Sequence, residues 1–495
     1  MYIAKSFGMN AIAQILDAAC KFLILPILLL FFGEASYGLL VTVLSVNLYL
    51  LILDLGMNTG ATKFYSEWLL IRDIARVRAL LRVSLIFYLV VSLINSLVLL
   101  SLGYFSDYIF QNKSQVEVDA VQALLYISSL FTIFNWMVQI ANQILTAQKK
   151  VYIIGYFSIF RSMLYVVAVF VTVSLELELE KYFLLFLSSI ALGNIVQMSF
   201  VYRRNTDFFA YGKVFDLNML REVVSYSGGI LLMSFMLSTI TKTAPFIISL
   251  ASPNGFADVA LYKIPEIVVA LVVALGGILT TVFLPDMLKK QKARESDTSA
   301  FESYFLQKVE ISCLVAVCLC MPIAMCASEI IELFVGAEYD ELHGWLALWS
   351  IILMFNFYNA PGASLLLSIG EFKFFNKALS YSFFITPILS ILLVSNIGFG
   401  GAVIAYGLHT LYLCLLYFFR IYKQHFSLSP LKISRVLLRF YFPAFCIALA
   451  LYLISGLFVA SSLISIFSKI FFFFALYIGF HMSILKTDIR RLVNQ

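Results

Sequence analysis

The hydrophobic segment from Asn10 to Phe32 carries a polar stripe along one face of its predicted helix. The polar positions are four, three and four residues apart, and they are Asn10, Gln14, Asp17 and Lys21. At 3.6 residues per turn, this spacing places all four side chains on one side of a helix. The segment is long enough to cross a bilayer, for which ~20 apolar residues suffice. We therefore predict a membrane-spanning helix whose stripe contains a carboxylate and an ammonium group.

Two interpretations of Asp17 and Lys21 are open, because the two residues lie one helical turn apart. In the first, the two charges only neutralise each other. In the second, the stripe lines a path for a polar or anionic substrate. A charged side chain at the bilayer centre costs roughly 2.5–3.5 kcal/mol on insertion scales, so it normally faces a partner or a water-filled cavity.

Apolar segments of membrane-crossing length recur along the whole chain. We predict fourteen spans, at residues 9–32, 36–58, 79–103, 120–147, 151–174, 182–202, 223–250, 261–285, 309–333, 344–367, 379–396, 402–419, 440–459 and 466–485. The chain has 495 residues, of which 62% are hydrophobic and 13% charged, and its mean hydropathy is +0.95. This composition excludes a soluble domain and predicts an all-α polytopic membrane protein.

Lys and Arg are unequally divided between the alternate loops of this topology. With Arg82 and Lys469 counted in the loops that adjoin their spans, 27 of the 34 Lys and Arg residues lie on one side and four lie within spans. Only Lys113, Lys181 and Lys469 lie on the other side. By the positive-inside rule, the richer side is cytoplasmic. Both termini are therefore predicted to be cytoplasmic.

The chain also contains a weak internal repeat. A displacement of 221 residues places Gly8 on Gly229 and Lys21 on Lys242, and six predicted spans separate the two copies. An even number of spans gives a parallel repeat about an axis along the membrane normal. We predict an N-terminal lobe at residues 1–215, a C-terminal lobe at residues 216–425 and an additional helix pair at residues 426–495. In this arrangement Lys21 and Lys242 face one central cavity.

Charged and amide side chains within the spans are the candidate functional residues. The candidate substrate-binding cations are Lys21, Arg161, Lys242 and Lys263. The candidate cavity or ion-coupling residues are Asn10, Gln14, Asp17, Asn47, Asp54, Asn135, Gln139, Asn142 and Glu266. Amide stripes also serve as helix–helix hydrogen bonds, and a lysine near a helix end also snorkels to the interface. The excess of cations over carboxylates favours an anionic substrate over a cationic drug.

No feature of the sequence predicts an enzyme or a bound cofactor. The HExxH, GxSxG and P-loop motifs are absent, so neither a zinc hydrolase, a serine hydrolase nor an ATPase is predicted. The seven cysteines all lie in apolar segments, and we interpret them as buried structural residues rather than metal ligands. Whether an ion gradient drives the protein is left open.

Beyond the polar stripe, the first two spans and the residues after them carry Pro26, the run Gly33-Glu34-Ala35-Ser36-Tyr37-Gly38-Leu39, Asp54-Leu55-Gly56, Ala61 and the basic stretch from Lys63, with Leu366-Leu367 and Gly370 later. In these residues the chain resembles the polysaccharide-biosynthesis family of the multidrug/oligosaccharidyl-lipid/polysaccharide (MOP) exporter superfamily. The resemblance implies two six-helix lobes around a central cavity that opens alternately to each side. For O-antigen (Wzx-type) flippases, it implies an undecaprenyl-pyrophosphate-linked oligosaccharide as substrate.

The same resemblance implies a location and partners. It places the protein in the bacterial cytoplasmic (inner) membrane, with membrane lipid and the polysaccharide polymerase and chain-length regulator of the same pathway as partners, and with no nucleic acid. Two alternatives remain open: a MATE-like multidrug or cation antiporter, and a lipid II (MurJ-type) flippase. The fourteen spans weigh against the first alternative, and the small number of intramembrane arginines weighs against the second.

The unequal charge distribution generates a test of the topology. Reporter fusions after Glu178 and after Glu341 are expected to lie outside, and fusions after Arg294 and after Gln495 inside, because the cation-rich loops stay in the cytoplasm. Paired phosphatase and fluorescent-protein fusions measure both orientations. One inverted fusion would contradict the fourteen-span topology and the repeat that depends on it.

Overall fold

The computed structural model describes residues 2–210, 217–292, 298–369, 372–425, 428–453 and 462–483. These residues form eighteen α-helices and contain no strand, which confirms the all-α prediction. The helices are α1 (Tyr2–Leu50), α2 (Met57–Leu70), α3 (Ile74–Tyr104), α4 (Ser106–Ile109), α5 (Gln115–Ala147), α6 (Val151–Ser174), α7 (Leu179–Arg204), α8 (Leu217–Lys242), α9 (Ala244–Ala251), α10 (Phe256–Lys292), α11 (Thr298–Met325), α12 (Ala327–Val335), α13 (His343–Phe357), α14 (Ala360–Ile369), α15 (Phe372–Ile397), α16 (Gly400–Leu416), α17 (Pro430–Leu453) and α18 (Ser462–Ser483). A π-helix at Tyr417–His425 continues α16.

The length and hydropathy of these helices make the protein a multi-pass membrane protein. Ten helices in the described ranges are long and apolar enough to cross a bilayer, or eleven if Leu232–Lys242 and Ala244–Ala251, bent by 41°, form one span. One of the ten, Ile12–Asp54, is 43 residues long and covers most of the first and of the second predicted span. Its continuity is broken at Gly33, where φ is 77° and ψ is 168°. The number fourteen stays a prediction, and the ends of the last two predicted spans lie outside the described residues.

The chain divides into two compact units. The first contains residues 1–263 and 379–399, and the second contains residues 264–378 and 400–495. The predicted lobes follow the sequence repeat and divide the chain after residue 215, and this division also stays a prediction.

In the first unit, α5 contacts α2, α3 and α7, while α6 packs against both α1 and α7. Large buried side chains such as Trp136 and Tyr88 fill the space between α3 and α5. Other large apolar side chains, such as Leu30, Leu89 and Leu93, remain exposed, as expected for helices that face lipid. Some polar side chains of these helices, such as Gln143 and Gln197, are buried between helices.

The tenth predicted span is broken in the second unit, where α13 ends at Phe357 and α14 begins at Ala360. A helix end leaves carbonyl groups without intrahelical partners. Here the hydroxyl of Tyr441 donates to the carbonyl of Met354 at 2.6 Å, and the thiol of Cys414 donates to that of Phe355 at 3.2 Å. Side chains from α17 and α16 thus satisfy the carbonyl groups that the break would leave unpaired.

A buried carboxylate holds the turn between α9 and α10 in the first unit. Asp258 accepts hydrogen bonds from Ser252 and, at 3.2 Å, from Asn254, and it is 2% exposed. A Cβ atom at Gly398, where φ is +64°, would lie 2.6 Å from Oδ2 of Asp258. Burial lowers the pKa of the neighbouring Lys113, and the charges of Glu117 and Asp258 oppose this shift. The loops at this end of the unit are therefore packed around one carboxylate.

An ion pair in the second unit joins α18 to α12. Lys469 Nζ contacts Glu329 Oε1, and the two side chains are only 9% and 15% exposed. The hydroxyl of Ser465 donates a further hydrogen bond of 3.0 Å to the same oxygen. Removing one partner of a buried pair leaves an uncompensated charge, which is far more costly than removing both.

We predict that Lys469→Met lowers the free energy of unfolding by about 3–5 kcal/mol, because it leaves the Glu329 carboxylate buried without its cation. Thermal unfolding of the full chain in detergent measures the change. The double variant Lys469→Met with Glu329→Gln is expected to recover most of the loss. Lys181→Met is the matched control, since the Lys181–Glu178 pair is exposed. An unchanged midpoint in Lys469→Met would contradict the prediction.

Candidate functional site

The predicted charge pair on the first span is formed in the structure. Lys21 Nζ lies 2.6 Å from Asp17 Oδ2, and the side chains are 54% and 36% exposed. The other carboxylate oxygen of Asp17 accepts a 3.1 Å hydrogen bond from the hydroxyl of Ser162 on α6. Both oxygens of Asp17 are therefore engaged, one within α1 and the other across the contact between α1 and α6.

Arg161 precedes Ser162 on α6, and its guanidinium points to α7. Its Nη1 donates to Gln197 Oε1 at 2.7 Å and to Asn194 Oδ1 at 3.5 Å. Arg161 is also close enough to Asp17 for their charges to attract. Its direct hydrogen-bond acceptors are nevertheless both neutral amides.

The amides of α7 continue the hydrogen bonding to α5. Asn194 Nδ2 donates to Asn135 Oδ1 at 3.2 Å, and Gln197 Nε2 donates to Asn142 Oδ1 at 2.7 Å. Asn142 in turn donates to Gln139 at 3.3 Å. We call the whole set the N-terminal polar network, and its members are Asp17, Lys21, Asn135, Gln139, Asn142, Arg161, Ser162, Asn194 and Gln197.

The network carries unequal charge. It contains two cations, Lys21 and Arg161, and one carboxylate, Asp17. Its two α7 amides are buried: Gln197 has no exposed surface and Asn194 is 5% exposed. An excess positive charge on membrane-spanning helices is unfavourable unless an anion or water compensates it. The arrangement is therefore chemically suited to receive an anionic group together with hydrogen-bonding partners.

The structure thus brings six of the predicted residues together: Asp17, Lys21, Asn135, Gln139, Asn142 and Arg161. Gln14 lies exposed on α1 outside the network, and the side chain of Asn10 lies outside the described part of the chain. Lys242 is the exposed last residue of α8, and no contact in the described residues joins it to Lys21. Lys263 and Glu266 lie half-buried one turn apart on α10, and each has interactions of its own.

Asn47, another predicted residue, makes its hydrogen bonds outside the N-terminal polar network. Asn47 donates to Ser128 on α5 at 3.1 Å and to the carbonyl of Val43 at 2.9 Å. This is the helix–helix role that amide side chains commonly have in membranes.

Asp54 lies at the point where the second span ends and the chain turns into α2. It accepts a 2.7 Å hydrogen bond from Tyr88 and a 3.1 Å bond from the backbone N–H of Asn58. Gln143 of α5 donates to the same Tyr88 hydroxyl at 2.7 Å. The chain reverses beside it through Leu55, whose φ is 48°. These contacts join Asp54 to the first turn of α2 and to α3, and its predicted role in ion coupling remains a prediction.

Sequence reasoning missed four residues of this region: Ser162, Gly193, Asn194 and Gln197. Gly193, Asn194 and Gln197 lie in the sixth predicted span, which is poor in polar residues, so no candidate residue was predicted there. The available signal was the spacing of Asn194 and Gln197, three residues apart and hence on one helical face.

Comparison with solved structures identifies proteins of similar fold. The lipid II flippase MurJ in an inward closed conformation matches with a TM-score of 0.70 and 13% identity, over 96% of this chain and 99% of that one. An inward-facing multidrug resistance MATE family transporter of the MOP superfamily matches with a TM-score of 0.63 and 13% identity, over 86% and 95% of the two chains. A MOP superfamily transporter from Pyrococcus furiosus, whose reversed pocket polarity suggests a different function, gives a TM-score of 0.57 and 13% identity over 87% and 96%.

Neither a family model nor a curated protein sequence matches the chain. The similar solved structures are flippases and transporters rather than enzymes. At 13% identity this likeness establishes the fold and nothing finer. The protein has the fold of the MOP superfamily transporters.

Proposed function

We propose that this protein is a flippase that moves an undecaprenyl-pyrophosphate-linked oligosaccharide, such as an O-antigen repeat unit, across the cytoplasmic membrane by alternating access. The observation that carries the proposal is the N-terminal polar network, which contains two cations, Lys21 and Arg161, and a single carboxylate, Asp17, that pairs directly with Lys21 alone. The network offers excess positive charge beside several amide groups.

The chemistry of such a substrate matches these groups. A pyrophosphate is anionic and accepts charge-assisted hydrogen bonds from Arg and Lys, which are stronger than neutral ones. Sugar hydroxyl groups both donate and accept, as do the amides of Asn and Gln. The polyprenyl tail requires an apolar surface, and α6, which carries Arg161, exposes large apolar side chains such as Met163, Val167 and Phe170. One molecule therefore accounts for the cations, the amides and the lipid-facing surface.

The alternatives differ in how well they fit the network. A multidrug antiporter for cations requires excess carboxylate, whereas the network contains two cations and one carboxylate. A lipid II flippase shares the lipid-linked pyrophosphate and differs in the sugar. The likeness to the MurJ structure supports the lipid-linked class that the two flippases have in common.

The proposal includes the setting of the protein. It lies in the bacterial inner membrane with both termini in the cytoplasm, and it works beside the polymerase and chain-length regulator of the same pathway. The proposal includes no bound cofactor and leaves open whether an ion gradient supplies the energy.

Deletion of the gene tests the substrate class. We expect lipid-linked repeat units to accumulate on the cytoplasmic face and the surface polysaccharide to disappear, because the transfer step is lost. Lipid extraction with protection assays, and staining of surface glycan, measure the two effects. Normal surface glycan with increased sensitivity to cationic dyes would support the antiporter instead. Arrest of peptidoglycan synthesis would support lipid II.

A second test separates the two interpretations of the Asp17–Lys21 pair. We expect Lys21→Ala to abolish surface polysaccharide at normal protein abundance, because the substrate anion loses a cation. The double variant Lys21→Ala with Asp17→Ala is expected to remain inactive. If the pair only neutralises charge, the double variant recovers export, since no unpaired carboxylate is left. Full export in the double variant would therefore exclude Lys21 as an anion-binding residue.

A further inference from the structure

Helix α7 is shaped around the side chain of Arg161. A Cβ atom at Gly193 would lie 2.5 Å from Cγ and 3.3 Å from Cδ of Arg161, so any larger residue there would displace the arginine. Gly193 is buried, and the stem of Arg161 occupies the space that its missing side chain leaves. The next residue, Asn194, already contacts the guanidinium. Position 193 therefore determines where the charged group lies.

The two amides that receive the guanidinium are themselves oriented by α5. Gln197 uses its Nε2 donor on Asn142, which turns its oxygen toward Arg161. Asn194 likewise uses its Nδ2 donor on Asn135 and presents its oxygen to Arg161. An amide has one acceptor end and one donor end, so each bond to α5 fixes the end that faces the arginine.

The charge of Arg161 is not cancelled by a direct ion pair with any carboxylate in the described residues. The nearby Asp17 is bonded to Lys21 at 2.6 Å and to Ser162 at 3.1 Å. Within the described ranges, only Nη1 of Arg161 makes hydrogen bonds, while Nε and Nη2 make none. A guanidinium has five N–H donors and binds oxyanions in a bidentate manner. The arginine is thus fixed in position with most of its donors unused.

We propose that Arg161 binds the phosphoryl group of the transported lipid, and that Gly193, Asn194 and Gln197 are the residues that position it. Because Gly193, Asn194 and Gln197 are uncharged, they hold the guanidinium in place without neutralising its charge. Lys21 differs, because Asp17 already compensates its charge. This inference rests on the proposed function for the identity of the lipid, but the anion recognition is independent of the sugar.

The substitution Gln197→Glu distinguishes a purely structural role of these contacts from a role in binding an anion. Gln197→Glu keeps the size of the side chain and replaces the neutral acceptor with a carboxylate. It removes the hydrogen bond that Nε2 donates to Asn142, and the ion pair gained with Arg161 offsets that loss. If the contact only packs α6 against α7, an ion pair with Arg161 preserves or strengthens it. If Arg161 must bind an anion, the new carboxylate competes with the ligand. Stability and binding therefore separate in this variant.

The test uses the full chain in detergent, with inorganic pyrophosphate and farnesyl diphosphate as probes in calorimetric titration and with thermal unfolding alongside. We expect Gln197→Glu to bind farnesyl diphosphate about tenfold more weakly or worse, at an unchanged unfolding midpoint. Gly193→Ala is expected to weaken binding as well, because it displaces the arginine stem. The matched control is Gln122→Glu on α5, which adds the same charge and likewise removes an amide donor, here to Gly103 and Tyr126.

Unchanged affinity in Gln197→Glu, or no binding by the unaltered protein, would overturn the inference. Farnesyl diphosphate binding more tightly than pyrophosphate supports a lipid ligand, whereas equal affinities would assign the site to a free anion and overturn the lipid assignment. Failure of the proposed function is distinguishable from these results. If deletion leaves the surface glycan intact while Gln197→Glu still loses diphosphate affinity, the sugar-lipid substrate is wrong and the positioning of Arg161 stands.

Discussion

The hydrogen bonding of Arg161 is the constraint on which the first unit depends. A guanidinium on a membrane-spanning helix needs acceptors at close range, because hydrocarbon supplies none. The acceptors come from α7, and α7 is in turn bonded to α5 through Asn135 and Asn142. The helices α5, α6 and α7 are thus connected by polar contacts as well as by apolar packing. The same contacts leave the site with one positive charge in excess.

The sequence predicts contacts that lie within one helix more reliably than contacts between helices. The Asp17–Lys21 pair follows from a spacing of four residues, and the structure contains it at 2.6 Å. Arg161 was recognisable as a mid-span cation, but its partners were not, because nothing in the sequence indicates which helix lies opposite. Asp54 is the opposite case. Its depth in the second span suggests ion coupling, whereas the structure shows a hydrogen bond from Tyr88 of α3, a contact between helices that the sequence does not indicate.

Hydropathy predicts the helices well but not the places where they break. The all-α class follows from the apolar segments, yet the tenth predicted span is divided at Tyr358 and Asn359 between α13 and α14. Pro361 was a visible signal of irregularity. Beside the break, the carbonyl groups of Met354 and Phe355 accept hydrogen bonds from Tyr441 and Cys414, which lie more than fifty residues away in the sequence. Such tertiary capping has no local pattern in the sequence.

The break between α13 and α14 has a mechanical consequence. Bending a continuous helix in hydrocarbon breaks backbone hydrogen bonds that no solvent can replace. At this break the regular helical pattern is already interrupted. The N–H of Asn359 donates to the carbonyl of Asn356 at 3.2 Å, and side chains of α16 and α17 bond to the carbonyl groups of Phe355 and Met354. Elastic resistance to bending is therefore lowest at Tyr358 and Asn359 among the residues of this broken span. When the second unit deforms, curvature along that span concentrates there, and α13 and α14 move as stiff rods on either side.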